Sequence, residues 1–225
     1  MKTKGRNILF YMTLFLFSCM IIIVFYLYNL IPHRRYTSED FGITTIKSSI
    51  DKDQDGIDDY SDIVFAAKNE LRKNPVYRSA YYQGGYPPKE EGVCTDLIWR
   101  ALKEAGYDLK QMIDQDIAYN IEAYPRVNGR PDPNIDFRRV ENIHVFLERH
   151  CLSLTLDLTQ KEEWQPGDIV TFSNKHIAIL SDERNAHGIP FLLHHGGLPV
   201  QDEDGLWRED FLKGISGHFR FSLQK

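Results

Sequence analysis

Residues 92–106 read GVCTDLIWRALKEAG, and their apolar positions recur at intervals of three and four. That spacing predicts a helix with one buried face, and the glycines at the two ends of the run are typical start and stop signals. Cys94 falls in the first turn of this helix, and its side chain shares a face with Leu97 and Ile98. The sequence therefore predicts a cysteine at a helix N-terminus, directed along a buried stripe.

A cysteine in that position can act as a nucleophile. A helix N-terminus presents unpaired N–H groups and a partial positive charge, which favour the thiolate and lower the pKa of a cysteine from about 8.5. We therefore expect Cys94 to be an activated thiol. The alternative is a small apolar residue that packs at the start of a helix.

Length and charge limit the classes of protein to consider. The 225 residues leave room for one membrane or signal segment and one domain with a proper core. With 27 basic and 32 acidic residues, the net charge of −5 gives no basic field for nucleic acid, so we expect no DNA or RNA partner. A bridge between Cys94 and Cys151 is formally possible, but we expect two free thiols, with Cys151 in a structural position.

Residues 8–31 are 24 consecutive residues without a charge. As a helix they would extend about 36 Å, against a hydrocarbon core of about 30 Å, which predicts a single membrane-spanning segment. The apolar run is longer than that of a typical cleaved signal peptide. The flanking charges are three basic residues before the run and Arg34 and Arg35 after it. They slightly favour a cytoplasmic N-terminus and an extracytoplasmic domain.

One alternative for the N-terminal segment is a bacterial lipoprotein signal. Residues 16–19 read LFSC, which faintly resembles such a signal, with Cys19 as the residue to be lipidated. Phe17 fits that pattern poorly, and the apolar run continues well past Cys19. We therefore predict that residues 1–35 are an N-terminal membrane anchor, with the lipoprotein as the alternative.

Residues 36–62 are predicted to be a tether that ends in a loop resembling a calcium site. Residues 51–62 read DKDQDGIDDYSD, with carboxylates at loop positions 1, 3, 5, 9 and 12 and glycine at position 6. This is the spacing that wraps oxygen ligands around Ca²⁺, and it resembles the loops of dockerins and thrombospondin type 3 repeats. Position 12 carries aspartate where glutamate is usual, and an acidic turn that binds nothing is the alternative. The predicted ligands are Asp51, Asp53, Asp55, Ile57, Asp59 and Asp62.

The remaining pattern predicts an α+β domain over residues 63–225. Helical periodicity covers residues 63–73, 109–119 and 140–147 in addition to the helix that begins near Cys94. Residues 152–158 alternate strictly between leucine and other residues, as in a strand with one buried face. Residues 168–172, 176–180, 191–195 and 217–223 are short β-rich runs separated by turns, which predict a small antiparallel sheet.

Two histidines complete a candidate site. His176 opens one predicted strand and His194 lies near the end of the next, so antiparallel pairing can bring both to one side of the sheet. A thiol that faces such a pair has what covalent catalysis requires, namely a nucleophile, a base and a group that orients the base. The same three residue types are zinc ligands, so a zinc site built from Cys94, His176 and His194 is the alternative.

Five motifs in order support a family resemblance. They are GVCTD at 92–96, RPDPNIDFRRV at 130–140, QPGDIV at 165–170, HIAILSD at 176–182 and GHFR at 217–220. Together they resemble the bacterial domain-of-unknown-function family 1287, which is placed among the papain-like NlpC/p60-type cysteine hydrolases. The resemblance implies Cys94 as the nucleophile, His176 as the base and His194 as the third residue. Because His195 follows directly, which of the two histidines faces His176 stays open.

The resemblance implies a function as well as a fold. It implies a papain-like domain that hydrolyses an amide bond through a thioester, as an amidase or endopeptidase acting on a cell-wall peptide without a catalytic cofactor. Because guanidinium groups match carboxylates well, we predict that Asp136, Arg138 and Arg139 line the substrate cleft, with a structural ion-pair cluster as the alternative. A non-catalytic wall-binding module is the other functional alternative, and we expect a monomer.

Overall fold

The protein divides into two compact units. Its structure is a computed structural model that describes residues 2–27, 30–197 and 201–223. The first unit covers Met1–Arg34 and the second covers Arg35–Lys225. The predicted functional boundaries at residues 35 and 62 stay predictions.

The first unit contains helix α1, Lys2–Leu27. Within it, Asn7–Leu27 has a mean hydropathy of 2.7, so the helix is long and apolar enough to cross a membrane. Its length and composition suit either a membrane anchor or a signal sequence. The helix as described ends at Leu27, before residue 31, the end predicted from the apolar run. Ile31 precedes Pro32, so residue 31 itself is disfavoured in a helix.

The second unit is an α+β domain, which confirms the predicted fold class at this level. Its α-helices, in chain order within the described residues, are α2 (Asp59–Arg72), α3 (Cys94–Glu104), α4 (Leu109–Tyr119), α5 (Val140–His150) and α6 (Leu206–Lys213). Its strands are β1 (Val76–Tyr77), β2 (Glu91–Gly92), β3 (Leu152–Ser153), β4 (Ile169–Phe172), β5 (His176–Arg184), β6 (Pro190–Leu193), β7 (Asp202–Glu203) and β8 (Ile215–Arg220).

A six-stranded antiparallel sheet forms the centre of this unit. Its strand order is β3-β8-β4-β5-β6-β7, and every pair of neighbours runs antiparallel. Strands β1 and β2 form a separate parallel pair just before α3. The small antiparallel sheet predicted from the sequence is therefore present, and the β4–β5–β6 hairpins at its centre carry the candidate histidines.

The turn between β4 and β5 places His176 at the start of β5. Ser173 and Asn174 both have a left-handed backbone, with φ of 48° and 54°, and the Lys175 amide donates to the Phe172 carbonyl over 2.9 Å. Positive φ at successive residues is typical of tight hairpin turns, and asparagine adopts it readily. The turn therefore fixes the position of His176 relative to the sheet edge.

Strand β5 is buried on both faces, which explains its apolar composition. Ile177 and Ile179 belong to the core that also contains Leu97 and Ile98 of α3. The intervening residues point the other way and pack with Trp164 on the opposite face of the sheet. Helix α3 is thus held against the strand that begins with His176, as its apolar stripe predicted.

The strand predicted at residues 152–158 is much shorter than its pattern suggested. Only Leu152–Ser153 pair with β8, although the Leu154 amide still donates to the His218 carbonyl over 2.8 Å. Beyond that point, Asp157 forms a local turn in which its carboxylate accepts from both the amide and the hydroxyl of Thr159. Side-chain-to-backbone bonds of this kind compete with strand pairing, so the leucine alternation does not extend the sheet.

The predicted tether makes specific contacts with the second unit. Tyr36 forms an antiparallel bridge with Arg184. The Arg184 Nε atom donates to Ser38 Oγ over 2.9 Å, and the Ile46 amide donates to the Gln165 side chain over 3.0 Å. Residues 36–46 therefore lie against the domain rather than extending away from it as a separate linker.

Strand β7 and helix α6 had no counterpart in the sequence-based prediction. Leu192 of β6 pairs with Glu203 of β7, and Leu193 pairs with Asp202. Helix α6 follows directly, and Leu206 packs beneath the sheet with Trp164. This two-element addition brings Glu203 into the sheet beside β6, the strand that precedes His194.

Candidate active site

Cys94 is the first residue of α3, as the sequence predicted. Val93 before it is extended, with φ of −131°, and the helix continues to Glu104. The cysteine is 7 % exposed. It therefore sits at a helix N-terminus and faces the interior.

Asp96 holds the start of this helix. Its carboxylate accepts from the Val93 amide over 2.8 Å, which satisfies one of the amides that a helix start leaves unpaired. The Arg138 guanidinium makes a bidentate pair with the same carboxylate over 2.7 and 2.8 Å, and the Trp99 indole donates to it over 2.8 Å. Four donors on one carboxylate fix the backbone that presents Cys94.

Burial has a larger effect on the pKa of the Cys94 thiol than the helix N-terminus does. The sulfur accepts hydrogen bonds from the backbone amides of Ile177 and Thr95, which favour the thiolate. Burial outweighs them and raises the pKa of Cys94 to about 11. The lowered pKa expected from the sequence is therefore wrong for this state of the protein, because that expectation counted the helix charge and omitted the desolvation of a buried thiolate.

Two histidines and two charged residues form a buried hydrogen-bonded chain. His176 Nε2 lies 2.7 Å from His194 Nδ1, and His194 Nε2 lies 2.8 Å from Glu203 Oε1. Arg208 donates to the same carboxylate. All four residues are buried, with Glu203 only 1 % exposed. The chain connects α6 and β7 to the start of β5.

The order of partners in this chain defines the tautomer of each histidine. Burial would raise the pKa of Glu203, but hydrogen bonds from His194 and Arg208 lower it, so Glu203 is a carboxylate that accepts a hydrogen bond from the N–H of His194 Nε2. With the shared proton of the two rings on His176 Nε2, His194 Nδ1 accepts from it, and His176 Nδ1 is left with a lone pair. Burial lowers the pKa of His176 well below 6.5, which keeps this base neutral.

The geometry distinguishes His194 from His195. His194 contacts His176, whereas the ring of His195 packs edge-on against Tyr77 with centroids 5.3 Å apart. Within the described residues neither ring nitrogen of His195 has a hydrogen-bond partner. The position of the third residue, left open by the sequence, therefore corresponds to His194.

A pocket of about 480 Å³ opens beside the histidine pair. Its lining includes His176 and His194, with Tyr77 and Lys213 at its sides. Gly196 also lines the pocket, next to His194. A methyl group at this position would lie 3.2 Å from a ring carbon of His194, so a side chain there would crowd the ring. Among the described residues, the lining of this pocket includes the histidine pair but not Cys94, so a small molecule or peptide segment there would contact the histidines.

The three residues predicted to bind substrate have structural contacts instead. Asp136 is fully buried and accepts from Arg139 over 2.9 Å, and from the Asp132 amide over 2.6 Å. The side chain of Arg138 is 2 % exposed and forms a salt bridge with Asp96. These buried ion pairs favour the structural alternative over substrate binding, since Asp136 and Arg138 present almost no surface to a ligand.

The calcium-like loop is partly organised. Asp51, Asp53 and Asp55 each place a carboxylate oxygen within 4.8 Å of the others. Asp59 is committed elsewhere, because its carboxylate accepts from the Tyr107 hydroxyl and from a backbone amide of the loop. The predicted ligand Asp62 is 7 % exposed. Burial, together with the nearby carboxylates, raises the pKa of Asp62 to about 6.

The zinc alternative finds no support in this geometry. His176 Nε2 and His194 Nδ1 face each other at hydrogen-bond distance, so each uses the other as its partner. Among the described residues, the cluster with metal-ligand spacing is that of Asp51, Asp53 and Asp55.

Glu203 and Arg208 are the site residues that the sequence did not indicate. Glu203 is the middle residue of three consecutive acids, Asp202 to Asp204. In a strand the middle residue points opposite to its neighbours, so an expected strand at this point would have separated Glu203 from the other two. The run is too short and too polar to predict a strand.

The arrangement defines a class of site. A buried cysteine begins a helix that packs on an antiparallel sheet, and a histidine oriented by a second histidine and a carboxylate lies on the adjoining strand. This is the set of groups used by enzymes with a thiol nucleophile.

The chain belongs to the family described as Domain of unknown function (DUF1287), whose model matches residues 64–221. It is 35 % identical over 159 residues to the uncharacterized protein YijF of Escherichia coli strain K12, which covers 67 % of this chain and 74 % of that protein. The family resemblance predicted from the motifs is thus confirmed. No solved structure matches the chain significantly.

Two motifs of the family match have a structural explanation. Asp168 of the QPGD turn accepts a bidentate pair from Arg220 over 2.8 and 2.9 Å, and His218 Nε2 lies 3.0 Å from the same carboxylate. Trp164 stacks on the His218 ring with centroids 4.0 Å apart. These contacts tie β8 to the turn before β4, away from the Cys94 helix.

Proposed function

We propose that the domain is a cysteine hydrolase of the papain-like, NlpC/p60-type class that cleaves an amide bond through a thioester. Cys94 is the nucleophile, His176 is the base and His194 orients His176. Glu203 and Arg208 are positioning residues that act through His194.

The observation that carries this proposal is the buried chain itself. Arg208, Glu203 and His194 follow one another at hydrogen-bond distance as far as His176 Nε2, and with Nε2 as the donor His176 Nδ1 is the lone-pair acceptor. The Cys94 sulfur receives a hydrogen bond from the amide of Ile177, the residue after His176. A buried polar chain of this length is costly unless every member is satisfied, and the proposed role accounts for its free end.

The first half of the reaction forms the thioester. As the Cys94 sulfur attacks the amide carbonyl carbon, its proton moves to His176 Nδ1. The C–N bond then breaks, and His176 returns the proton to the leaving nitrogen. Because both the thiol and the imidazole begin neutral, the proton moves during the attack, and no preformed ion pair is required.

The second half releases the acid. Water attacks the thioester carbonyl while His176 accepts its proton, and the C–S bond breaks to give a carboxylic acid and the sulfur, which regains the proton. His194 stabilises the charged imidazole in both halves, and the Glu203 carboxylate lies next to it to balance that charge.

A cell-wall peptide is the substrate class we propose. Lys175 lines the pocket and is exposed, whereas Lys213 is paired there with Glu209, so the charge of Lys175 suits a peptide that carries a free carboxylate. The membrane-length helix of the first unit would retain such an enzyme at the cell surface, with the domain on the extracytoplasmic side, consistent with the flanking basic residues.

The test compares the two buried cysteines of the domain. Purified full-length protein in detergent is incubated with peptidoglycan, and the soluble products are analysed by mass spectrometry for new amine and carboxyl termini. We expect Cys94→Ala to abolish product formation, a loss of at least about 10³-fold, since the nucleophile is removed. Cys151→Ala is the matched control, because Cys151 is equally buried and lies outside the hydrogen-bonded chain.

Two results would contradict the proposal. Product formation by Cys94→Ala at the wild-type rate would exclude a thiol mechanism. Binding of wild-type protein to peptidoglycan, without products and with a Cys94 thiol inert to alkylating probes, would favour the wall-binding module.

A further inference from the structure

A second feature of the domain lies in the segment before α2, outside the residues matched by the family. Asp51, Asp53 and Asp55 are exposed, and one oxygen from each lies within 4.8 Å of the others. Ligand oxygens that surround one Ca²⁺ at 2.3–2.6 Å lie up to roughly 5 Å apart. Gly56 has φ of 94° and makes the sharp turn that such a loop needs at its sixth position.

Asp62 provides an independent indication of a ligand. The residue is 7 % exposed, and within the described part of the chain its Oδ2 atom has no hydrogen-bond partner. Its carboxyl group is near enough to those of Asp51, Asp53 and Asp55 to interact with them electrostatically, although it lies outside the set of oxygens that are within 4.8 Å of one another. A buried carboxylate oxygen without a donor is costly, and three neighbouring carboxylates increase that cost unless a cation binds among them.

We infer that residues 51–62 bind one Ca²⁺ ion through the carboxylates of Asp51, Asp53, Asp55 and Asp62. The carbonyl of Ile57, at loop position 7, is the backbone ligand that this spacing predicts. The inference does not depend on the proposed hydrolase function.

The ligand set differs from the sequence prediction at Asp59. The Lys52 amide donates to one Asp59 oxygen over 2.8 Å, and the Tyr107 hydroxyl donates to the other. Asp59 therefore fixes the loop to the domain. In loops of this type the residue at position 9 often binds the ion only through a water molecule. The ion can therefore bind to the other carboxylates although Asp59 is hydrogen-bonded elsewhere.

The chemistry of the donors selects Ca²⁺ among common cations. All the proposed donors are oxygens, whereas zinc favours nitrogen and sulfur. Mg²⁺ requires a near-ideal octahedron of short bonds, which a largely exposed loop of carboxylates does not enforce.

The position of the loop indicates what the ion would do. A methyl group at Gly106 would lie 3.0 Å from Lys52 Cγ and 3.2 Å from the Asp53 amide, so the loop packs closely on the end of α3. Asp59, at the start of α2, is bound to Tyr107, just beyond α3. An ion in the loop would therefore stabilise the contact between these two helices.

The experiment uses full-length protein in detergent, freed of metal with a chelator and dialysed. Calorimetric titration with CaCl₂ and with MgCl₂ gives affinities, and thermal unfolding is followed with Ca²⁺ or with chelator. The variants are the double variant Asp53→Asn with Asp55→Asn, the single variant Asp62→Asn, and Glu122→Gln as a control at an exposed carboxylate outside the loop.

We expect Ca²⁺ to bind wild type and Glu122→Gln in the range of about 10⁻⁵ to 10⁻³ M, with Mg²⁺ at least about ten-fold weaker. At ten times the dissociation constant, Ca²⁺ should raise Tm by roughly 3–6 °C. The double variant and Asp62→Asn should each lose at least about ten-fold in affinity.

Either of two outcomes would overturn the inference. One is wild-type protein with no heat of Ca²⁺ binding and the same Tm in Ca²⁺ and in chelator. The other is wild-type affinity in Asp62→Asn, which retains the three exposed carboxylates and would show that the buried oxygen is not a ligand.

Discussion

Two of the buried arginine–carboxylate pairs of the domain end in different ways. Arg138 with Asp96 and Arg208 with Glu203 are similarly buried, and both pairs adjoin the proposed reaction centre. The first pair ends on the backbone at a helix start. The second continues through two histidines to a pocket. A buried charged cluster therefore points to a reactive site when its last side chain carries a titratable atom at a pocket, and not when every polar atom is bonded within the fold.

The two carboxylates differ in the hydrogen-bond donors that they accept from. Asp96 Oδ1 accepts from Arg138 and Trp99, and Asp96 Oδ2 accepts from Arg138 and the Val93 amide. All of these donors are internal. Glu203 instead accepts a hydrogen bond from His194 Nε2, and His194 Nδ1 lies within hydrogen-bond distance of His176 at the pocket. One pair therefore ends on the backbone, while the other continues to a titratable side chain.

The largest effect expected from this comparison is the loss of stability in Arg138→Leu. Removing one partner of a buried pair leaves Asp96 uncompensated and should cost about 3–5 kcal/mol of unfolding free energy. Urea unfolding measures it. The matched control is Arg126→Leu, because Arg126 pairs with Glu141 at the surface over 3.8 Å, and its loss should cost about 0–1 kcal/mol.

The same variant tests whether the Asp96 pair is only structural. Activity per folded molecule of Arg138→Leu, measured well below its unfolding midpoint, should retain the wild-type KM. A selective rise in KM with stability unchanged would show that Arg138 binds substrate, as the sequence first suggested.

Next in size is the effect of Glu203→Gln on turnover. An amide can still accept from Arg208, but the chain no longer holds the proton on His194 Nε2, so the tautomer that leaves His176 Nδ1 free is no longer enforced. We expect kcat to fall roughly 10²-fold, less than the ~10⁴-fold loss seen when the carboxylate touching a catalytic histidine itself is replaced. KM should change little.

Two readouts separate positioning from a general structural role for Glu203. Nitrogen NMR shifts should report a changed tautomer of His194 in Glu203→Gln. Asp116→Asn is the control, since Asp116 is also a buried carboxylate paired with an arginine and a histidine, Arg149 and His150, but it lies outside the pocket. Equal losses of activity in both variants, with the tautomer unchanged, would contradict the positioning role.

The sequence predicted those parts of this arrangement that depend on local pattern. The Cys94 helix follows from the three-and-four spacing of its apolar residues, and His176 follows from its place at the start of a short β-rich run. Glu203 could not be selected from three consecutive acids, because only its pairing with Leu192 decides which of them faces the histidine. Arg138 was predicted to line the cleft because a guanidinium matches carboxylates, but its burial on Asp96 depends on residues distant in sequence.

The prediction of a lowered pKa for Cys94 was wrong for a related reason. The charge of a helix N-terminus can be inferred from position, but the desolvation of the thiol depends on side chains distant in sequence, such as those of β5. Cys94 and Cys151 consequently resemble each other, with pKa values raised to about 11 and about 12.

The last prediction involves no change in the Arg208–Glu203 pair, and it tests through pH dependence whether the thiol and the imidazole begin neutral. With its pKa near 11, Cys94 should react with iodoacetamide about ten-fold faster per pH unit from pH 7 to pH 10, without a plateau near neutrality. His176→Ala should leave that slope unchanged, because burial sets it.

Turnover should behave differently, since it requires only neutral His176. Burial lowers the pKa of His176 below 6.5, so activity should stay level above about pH 6.5 and fall only at more acid pH, where the base becomes protonated. Mass spectrometry of each cysteine, alongside initial rates over the same pH range, measures both. A labelling plateau near pH 7 that disappears in His176→Ala would instead establish a thiolate–imidazolium pair, and the chain from Arg208 would then stabilise a charge already present before substrate binds.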